Sequence, residues 1–191
     1  MAEPARARTL LVFSHPALER TRLNWAMAEA ARDVPAVTFH DLYETYPDFA
    51  VDVPGEQARL ADHELIVLQF PLYWYTGTAL LKEWLDLVWL KGFAYGPEGG
   101  RLAGKTLACA VSTGARAQAF RCSGADQHTA SEFLRPFERV AEVCGMRWMK
   151  PFAIHGANVR TERDLNIQTE RYRKRLDEWV CRTATGKAAC A

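Results

Sequence analysis

The sequence predicts a single α/β domain of the doubly wound, three-layer type, built on a parallel sheet of five strands. Three observations carry that expectation. Short apolar runs alternate with segments of helical spacing along the whole chain. The runs are continuously apolar rather than alternating, as in strands buried on both faces. No linker, low-complexity tract or internal repeat divides the 191 residues, and 49% apolar with 25% charged residues is ordinary for one globular core.

Residues 9–14, TLLVFS, form the first strand. The loop HPALER leads into a helix over 21–32, where Leu23, Ala26, Met27 and Ala30 recur on one side. PAVTFH, 35–40, is the second strand, and the polar, aromatic stretch DLYETYPDFAVDVPG connects it to a short helix over 56–62. The third strand, 65–70, stops at Pro71 and opens onto Tyr73, Trp74 and Tyr75 before Gly77. A helix over 79–90 follows, with Lys82, Glu83 and Asp86 on a narrow stripe and Leu80, Leu81, Trp84, Leu85, Leu87, Val88, Trp89 and Leu90 over the remainder. A helix that apolar needs cover on two sides; the sheet supplies one, and a second copy of the chain is expected to supply the other, giving a homodimer. KTLACAVS, 105–112, is the fourth strand; after a long loop come a helix over 129–144, a fifth strand over 147–155 and a last helix over 162–182. The domain is therefore set at 1–182, with a loose tail, TATGKAACA, over 183–191.

A net charge of +1 gives no general attraction to nucleic acid or to a membrane surface, and the cationic cluster RYRKR at 171–175 reads as the solvated face of the last helix. The apolar run behind Arg6 and Arg8 is too short for a signal-peptide core or a membrane span, so a cytoplasmic location is expected. Cys109, Cys122, Cys144, Cys181 and Cys190 contain no CxxC pair and no metal-ligand spacing. They read as reduced thiols, Cys109 in the core, and no metal site is expected.

In the strand order 2-1-3-4-5, the loops at the carboxyl ends of strands 1, 3 and 4 converge on the topological switch point where such sheets bind ligands. The first of these loops has no glycine, since the first glycine in the chain is Gly55, and this excludes both GxGxxG and GxxxxGK[ST] phosphate loops. It offers His15, Thr21, Arg22 and Asn24 around the start of a helix, where free N–H groups and the positive dipole end suit a phosphate; Thr21 serves equally as a plain N-cap. The third-strand loop carries the aromatic ledge Tyr73, Trp74 and Tyr75, suited to stacking on a flat conjugated ligand or to ordinary packing. The fourth-strand loop, Ser112-Thr113-Gly114, lets the backbone approach a planar ring, and its His128 is either a donor to a carbonyl of that ring or a surface residue.

With these residues in place the chain resembles the flavodoxin-like NAD(P)H:quinone oxidoreductases, and among them the short FMN-containing ancillary proteins of Kef-type, glutathione-regulated potassium efflux systems. The likeness spans most of residues 9–180 and is carried by SHPALERTRLN at 14–24, LYETYPDF at 42–49, FPLYWYTGTALLKEWLDLVW at 70–89, GFAYG at 92–96 and VSTG at 111–114. The resemblance implies a dimer with FMN at each interface, its phosphate held by His15, Thr21, Arg22, Leu23 and Asn24. It places Leu72, Tyr73, Trp74 and Tyr75 against the flavin edge, and Ser112, Thr113, Gly114 and Ala115 around the other side. Family members commonly carry TTGG where this chain has Ser112-Thr113-Gly114-Ala115-Arg116, which reshapes the nicotinamide or quinone side. Larger FAD-containing relatives set a tyrosine and a histidine in this loop; Phe120 stands in the place of the tyrosine, and His128 in that of the histidine.

The chemistry implied is ping-pong hydride transfer, NAD(P)H to FMN N5 and then to a quinone in the same slot, with Tyr75 and His128 as the side chains nearest a catalytic role. Arg116 and Arg121 are candidate contacts for a 2′-phosphate. The alternative is a regulatory subunit that binds a potassium efflux protein and reaches the inner membrane only through it. A flavodoxin-type one-electron carrier fits less well, because such carriers present acidic docking surfaces and this chain has a net charge of +1.

Overall fold

The computed structural model describes residues 6–17, 21–97, 100–157 and 161–186. Strands β1 (Thr9–Phe13), β2 (Val37–Asp41), β3 (Leu65–Pro71) and β4 (Thr106–Thr113) run parallel in the order β2-β1-β3-β4, and β5 (Arg147–Trp148) and β6 (Phe152–His155) both pair with the outer side of β4. The order is the expected one, with six strands instead of five among the described residues. The expected fifth strand is cut in two around Pro151, whose nitrogen has no proton to give to the ladder. Arg147 lies opposite Thr106 but Phe152 opposite Ala110, so the register slips by one residue between the two pieces.

Every residue of β1, β3 and β4 is buried, and alternate side chains feed two cores. Leu11, Phe13, Val67, Ala108 and Ala110 face α1 (Arg22–Arg32) and α7 (Glu162–Ala184). The alanines leave room for Tyr172 and Trp179 of α7, both buried, and the Tyr172 hydroxyl donates to the Gln69 side chain inside the sheet. Leu10, Val12, Ile66, Leu68, Phe70 and Cys109 face the other layer: α2 (Leu42–Thr45), α3 (Val53–Ala61), α4 (Ala79–Val88), α5 (Ala130–Phe133) and α6 (Arg135–Val143). Cys109, Cys122, Cys144 and Cys181 are free thiols, Cys109 fully buried; Cys190 lies outside the described residues.

Several boundaries depart from the sequence reading, four of them for an evident local reason. Helix α2 is four residues long, capped by the Asp41 carboxylate, which accepts from the Tyr43 and Glu44 N–H groups. Helix α3 starts at Val53, ahead of the expected 56, because Asp52 caps it and Pro54 suits its first turn. The expected helix over 129–144 is two helices: Pro136 cannot bond back to Glu132, and the chain turns at Leu134. Helix α7 runs to Ala184 with Thr183 buried, two residues past the expected domain end, and residues 187–191 of the tail lie outside those described.

A buried polar junction ties the second layer together. The fully buried Glu56 carboxylate takes the Tyr46 hydroxyl and the Trp84 indole N–H, each at 2.8 Å, and meets His40 Nε2 at 2.9 Å. Burial alone raises a carboxyl pKa, but the contacts from His40, Trp84 and Tyr46 outweigh it and hold Glu56 below its ordinary value. Beside it, α4 buries Leu80, Leu81, Trp84 and Val88, while Leu87 and the following Leu90 stay exposed. Leu85, Leu90, Tyr95, Val140 and Val143 form an apolar groove of about 460 Å³ between α4 and α6.

Candidate functional site

The carboxyl ends of β1, β3 and β4 meet in a cleft of about 600 Å³ at the switch point. From the β1 side come His15, Pro16, Ala17, Thr21 and Asn24. His15 is buried, its ring 6.4 Å from Phe13 and edge-on to Tyr73 at 6.0 Å; its Nδ1 accepts the Ala17 N–H at 3.1 Å, so Nε2 carries the proton. Thr21 is the N-cap of α1, its hydroxyl accepting from the Asn24 N–H at 3.4 Å and from Asn24 Nδ2 at 3.0 Å. Asn24 Oδ1 accepts the Ser112 hydroxyl at 2.8 Å. Asn24 is therefore a strut between the start of α1 and the end of β4. The N–H groups of Arg22 and Leu23 lie in the first turn, where no helical carbonyl precedes them.

The β3 side is a tight turn closed by Thr76 N–H to Tyr73 O at 3.0 Å. Its two central residues, Trp74 and Tyr75, have φ of 48° and 65°, the left-handed pair of a type I′ turn that glycine and asparagine ordinarily supply. Two bulky residues held there store on the order of 1–3 kcal/mol each, and such strain concentrates at working sites. Trp74 is 91% exposed, and among the described residues neither the Trp74 nor the Tyr75 N–H has a backbone acceptor. The β4 side brings Ser112 and Gly114; the Gly114 and Ala115 N–H groups likewise find no backbone acceptor there.

Of the residues expected at the site, His15, Thr21, Asn24, Leu72, Tyr73, Trp74, Ser112 and Gly114 line this one cleft. The others sit around it. The Arg22 side chain pairs with Glu162 in a neighbouring groove beside Trp25, and Leu23 is in the core, so neither side chain lines the cleft. Thr113 is buried behind the wall, its hydroxyl on the Ala115 carbonyl at 2.8 Å. Tyr75 turns its hydroxyl to Asp126 at 2.9 Å, and its ring lies tilted against Phe133 at 4.7 Å; the hydrogen bond to that carboxylate raises the phenol pKa, so it stays protonated. His128 is exposed beside Glu132 at 3.6 Å and also leans on Phe133, outside the cleft lining. Phe120 is buried between Phe133 and His155.

Sequence reasoning missed Pro16, Ala17, Pro71 and above all Ala157, which enters the lining just past the end of β6. Its signal in the sequence was faint, a lone glycine directly after the expected last strand; in the structure this Gly156 has φ of 72°. Among the described residues no group of three or more His, Cys, Asp or Glu is placed to hold a metal.

A parallel doubly wound sheet whose switch-point cleft joins a capped helix start, open backbone donors and an aromatic ledge defines a flavodoxin-like protein. The chain belongs to that family: residues 7–178 match the family described by the flavodoxin-like fold. It is 42% identical over 172 residues, 90% of this chain and 93% of the other, to the glutathione-regulated potassium-efflux system ancillary protein KefG of Escherichia coli O6:K15:H31. Among solved structures it resembles general stress protein 14 of Treponema denticola in complex with FMN, at 35% identity and TM-score 0.83 over 92% of this chain and 99% of that one. An NADPH-quinone reductase from P. pentosaceus matches at 32% identity and TM-score 0.79 over 91% and 97%. A chain from Streptomycin violaceusniger described as a thermophilic tryptophan halogenase matches at 40% identity and TM-score 0.84 over 86% and 96%. These names span several chemistries, so activity has to be argued from the site.

Proposed function

We propose that this chain is an FMN-dependent NAD(P)H:quinone oxidoreductase. The observation that carries the reading is the meeting of a capped helix start, open N–H groups and an aromatic ledge in one cleft of about 600 Å³. The likeness to an FMN complex and to a quinone reductase supports it. The residues present fit FMN. The first turn of α1 suits the phosphate, with Thr21 capping and the Arg22 and Leu23 N–H groups donating. The Trp74 and Tyr75 N–H groups and the Gly114 and Ala115 N–H groups would be available as donors to a planar ring, and would stabilise negative charge developed on it. Bound FMN would supply hydride transfer between a nicotinamide and a quinone.

In this reading the protein binds, orients and excludes water, and the protonated Tyr75 phenol and His128 modulate rather than catalyse. The exposed Leu87, Leu90 and Trp74 support a homodimer in a cytoplasmic protein. The test is to purify the chain, record its visible spectrum, identify any released flavin, and follow NADPH oxidation with and without a small quinone. Colourless protein that cannot be reconstituted with FMN overturns the reading.

The 42% identity to KefG favours a second role, docking on a potassium efflux protein. No helix among the described residues is long and apolar enough to cross a membrane, so contact with one runs through a partner in this reading. Efflux in a deletion strain should then require the protein even when flavin reduction is blocked; efflux indifferent to the protein rules the role out.

A further inference from the structure

We infer that His155 is a positioning residue of the cleft: through Thr113 it holds the loop after β4 in the shape that keeps the Gly114 and Ala115 N–H groups available to a ligand. The inference rests on the FMN reading for the ligand's identity, and on hydrogen-bond bookkeeping for the rest. The Thr113 hydroxyl has one proton, which it gives to the Ala115 carbonyl at 2.8 Å. Its 3.0 Å contact with His155 Nδ1 must then run the other way, from N–H to hydroxyl oxygen. The network thus requires a proton on His155 Nδ1, the ring nitrogen that in His15 accepts a hydrogen bond.

The backbone repeats the same clamp. Gly156 N–H donates to the Ala115 carbonyl and Ala157 N–H to the Thr113 carbonyl, each at 2.8 Å. Both carbonyls of the segment are thus taken up by the end of β6, while the N–H groups of Gly114 and Ala115 between them remain uncommitted among the described residues. His155 is the side chain that ties the two layers of this clamp, and it is itself held. The Phe120 ring lies 4.8 Å from it, Phe120 meets Phe133 at 6.1 Å, and Phe133 carries Tyr75 at 4.7 Å. The chain of rings joins the β4 wall of the cleft to the strained turn on the β3 wall. An apolar residue at 155 would fill the space but give Thr113 nothing.

The test has two arms. Long-range proton–nitrogen NMR of the flavin-free protein should find His155 in the Nδ1-protonated form at neutral pH, and in Thr113→Val this form should give way to the Nε2-protonated one. Flavin titrations should show FMN bound about tenfold more weakly by His155→Leu and by Thr113→Val, no further loss in the double variant, and affinity within about threefold of the parent for His155→Asn and Thr113→Ser, which keep the donor and the hydroxyl. An Nε2-protonated His155 in the parent, or independent losses that add in the double variant, overturns the inference. If His155→Leu does not fold, Thr113→Val against Thr113→Ser decides the same point. If the parent binds no FMN, the oxidoreductase reading fails, and the tautomer measurement still decides the role of His155.

Discussion

Two depressions of nearly equal size lie at opposite rims of the sheet, about 600 Å³ where the strands end and about 590 Å³ where they begin. The depression where the strands begin is the more highly charged, with Arg6, Arg101, Lys105 and Arg147 around it. Yet much of its polarity is committed to holding the fold. Arg6 pairs with Asp177 at 2.6 Å, Lys105 gives its ammonium protons to the Ala61 and His63 carbonyls at 2.8 and 2.6 Å, and Glu64 accepts the Arg8 N–H at 2.9 Å. Burial, then the neighbouring Arg8 and Arg101 charges, lower the Lys105 pKa. The last turn of α7, with Thr183 and Ala184, lines the same wall, and cations at a helix carboxyl end complement its dipole. At the other rim the bonding capacity is unspent: uncommitted N–H groups, two left-handed residues in succession and an exposed indole. Size and charge do not distinguish the rim proposed to bind a ligand; open donors and backbone strain do.

The contrast can be tested by separating stability from binding, beginning with the largest effect. Glu56 lines neither depression, and Glu56→Ala strands the Tyr46, Trp84 and His40 donors in the core. Urea unfolding should show a loss of about 3–5 kcal/mol with the FMN affinity of the folded protein unchanged. Because the Glu56 pKa is depressed on folding, its stabilisation is present above the ordinary value of 4.5 and lost as pH falls through the folded-state value. The acid limb of the stability curve should therefore be shallower in the variant.

Next comes Thr21→Asp, which keeps an N-cap but sets a negative charge where a phosphate would lie. FMN affinity by fluorescence titration should drop on the order of 100-fold with thermal stability unchanged; equal affinity would remove the phosphate from this rim. Trp74→Gly should move the two quantities in opposite directions: about 1 kcal/mol more stable through relief of the left-handed strain, read as a rise of roughly 2–4 °C in Tm, and about fivefold weaker for FMN. The smallest effect belongs to the opposite rim, where Arg101→Ala with Arg147→Ala should change FMN affinity and NADPH oxidation by less than about twofold. A tenfold loss in that double variant would erase the distinction between the rims.

Much of this rim was legible in the sequence, because short apolar runs bounded by turn residues read as strands buried on both faces, and the order of such strands brings three particular loops together. His15, Trp74 and Gly114 are far apart in the chain and line one cleft for that reason. The proline breaks at 136 and 151 were also written in the chain, as missing N–H donors, although the helical and strand patterns ran across them. The direction of Tyr75 was not legible, since Trp-Tyr is an unusual pair for a type I′ turn and only the observed φ values turn the phenol toward Asp126. Nor were Ala157 and His155, whose approach depends on how the edge strand is registered against β4.

That registration reaches further than the edge of the sheet. Had the two pieces of the last strand stayed in step, Ile154 rather than His155 would lie opposite Thr113, because successive positions of a strand exchange faces. The bulge that takes up the surplus residue near Pro151 thus decides whether an imidazole or a hydrocarbon meets the hydroxyl beneath the cleft. Deleting one of residues 149–151 would let the two pieces run in step and still leave His155 opposite Thr113, whereas closing the bulge at full length would set Ile154 there.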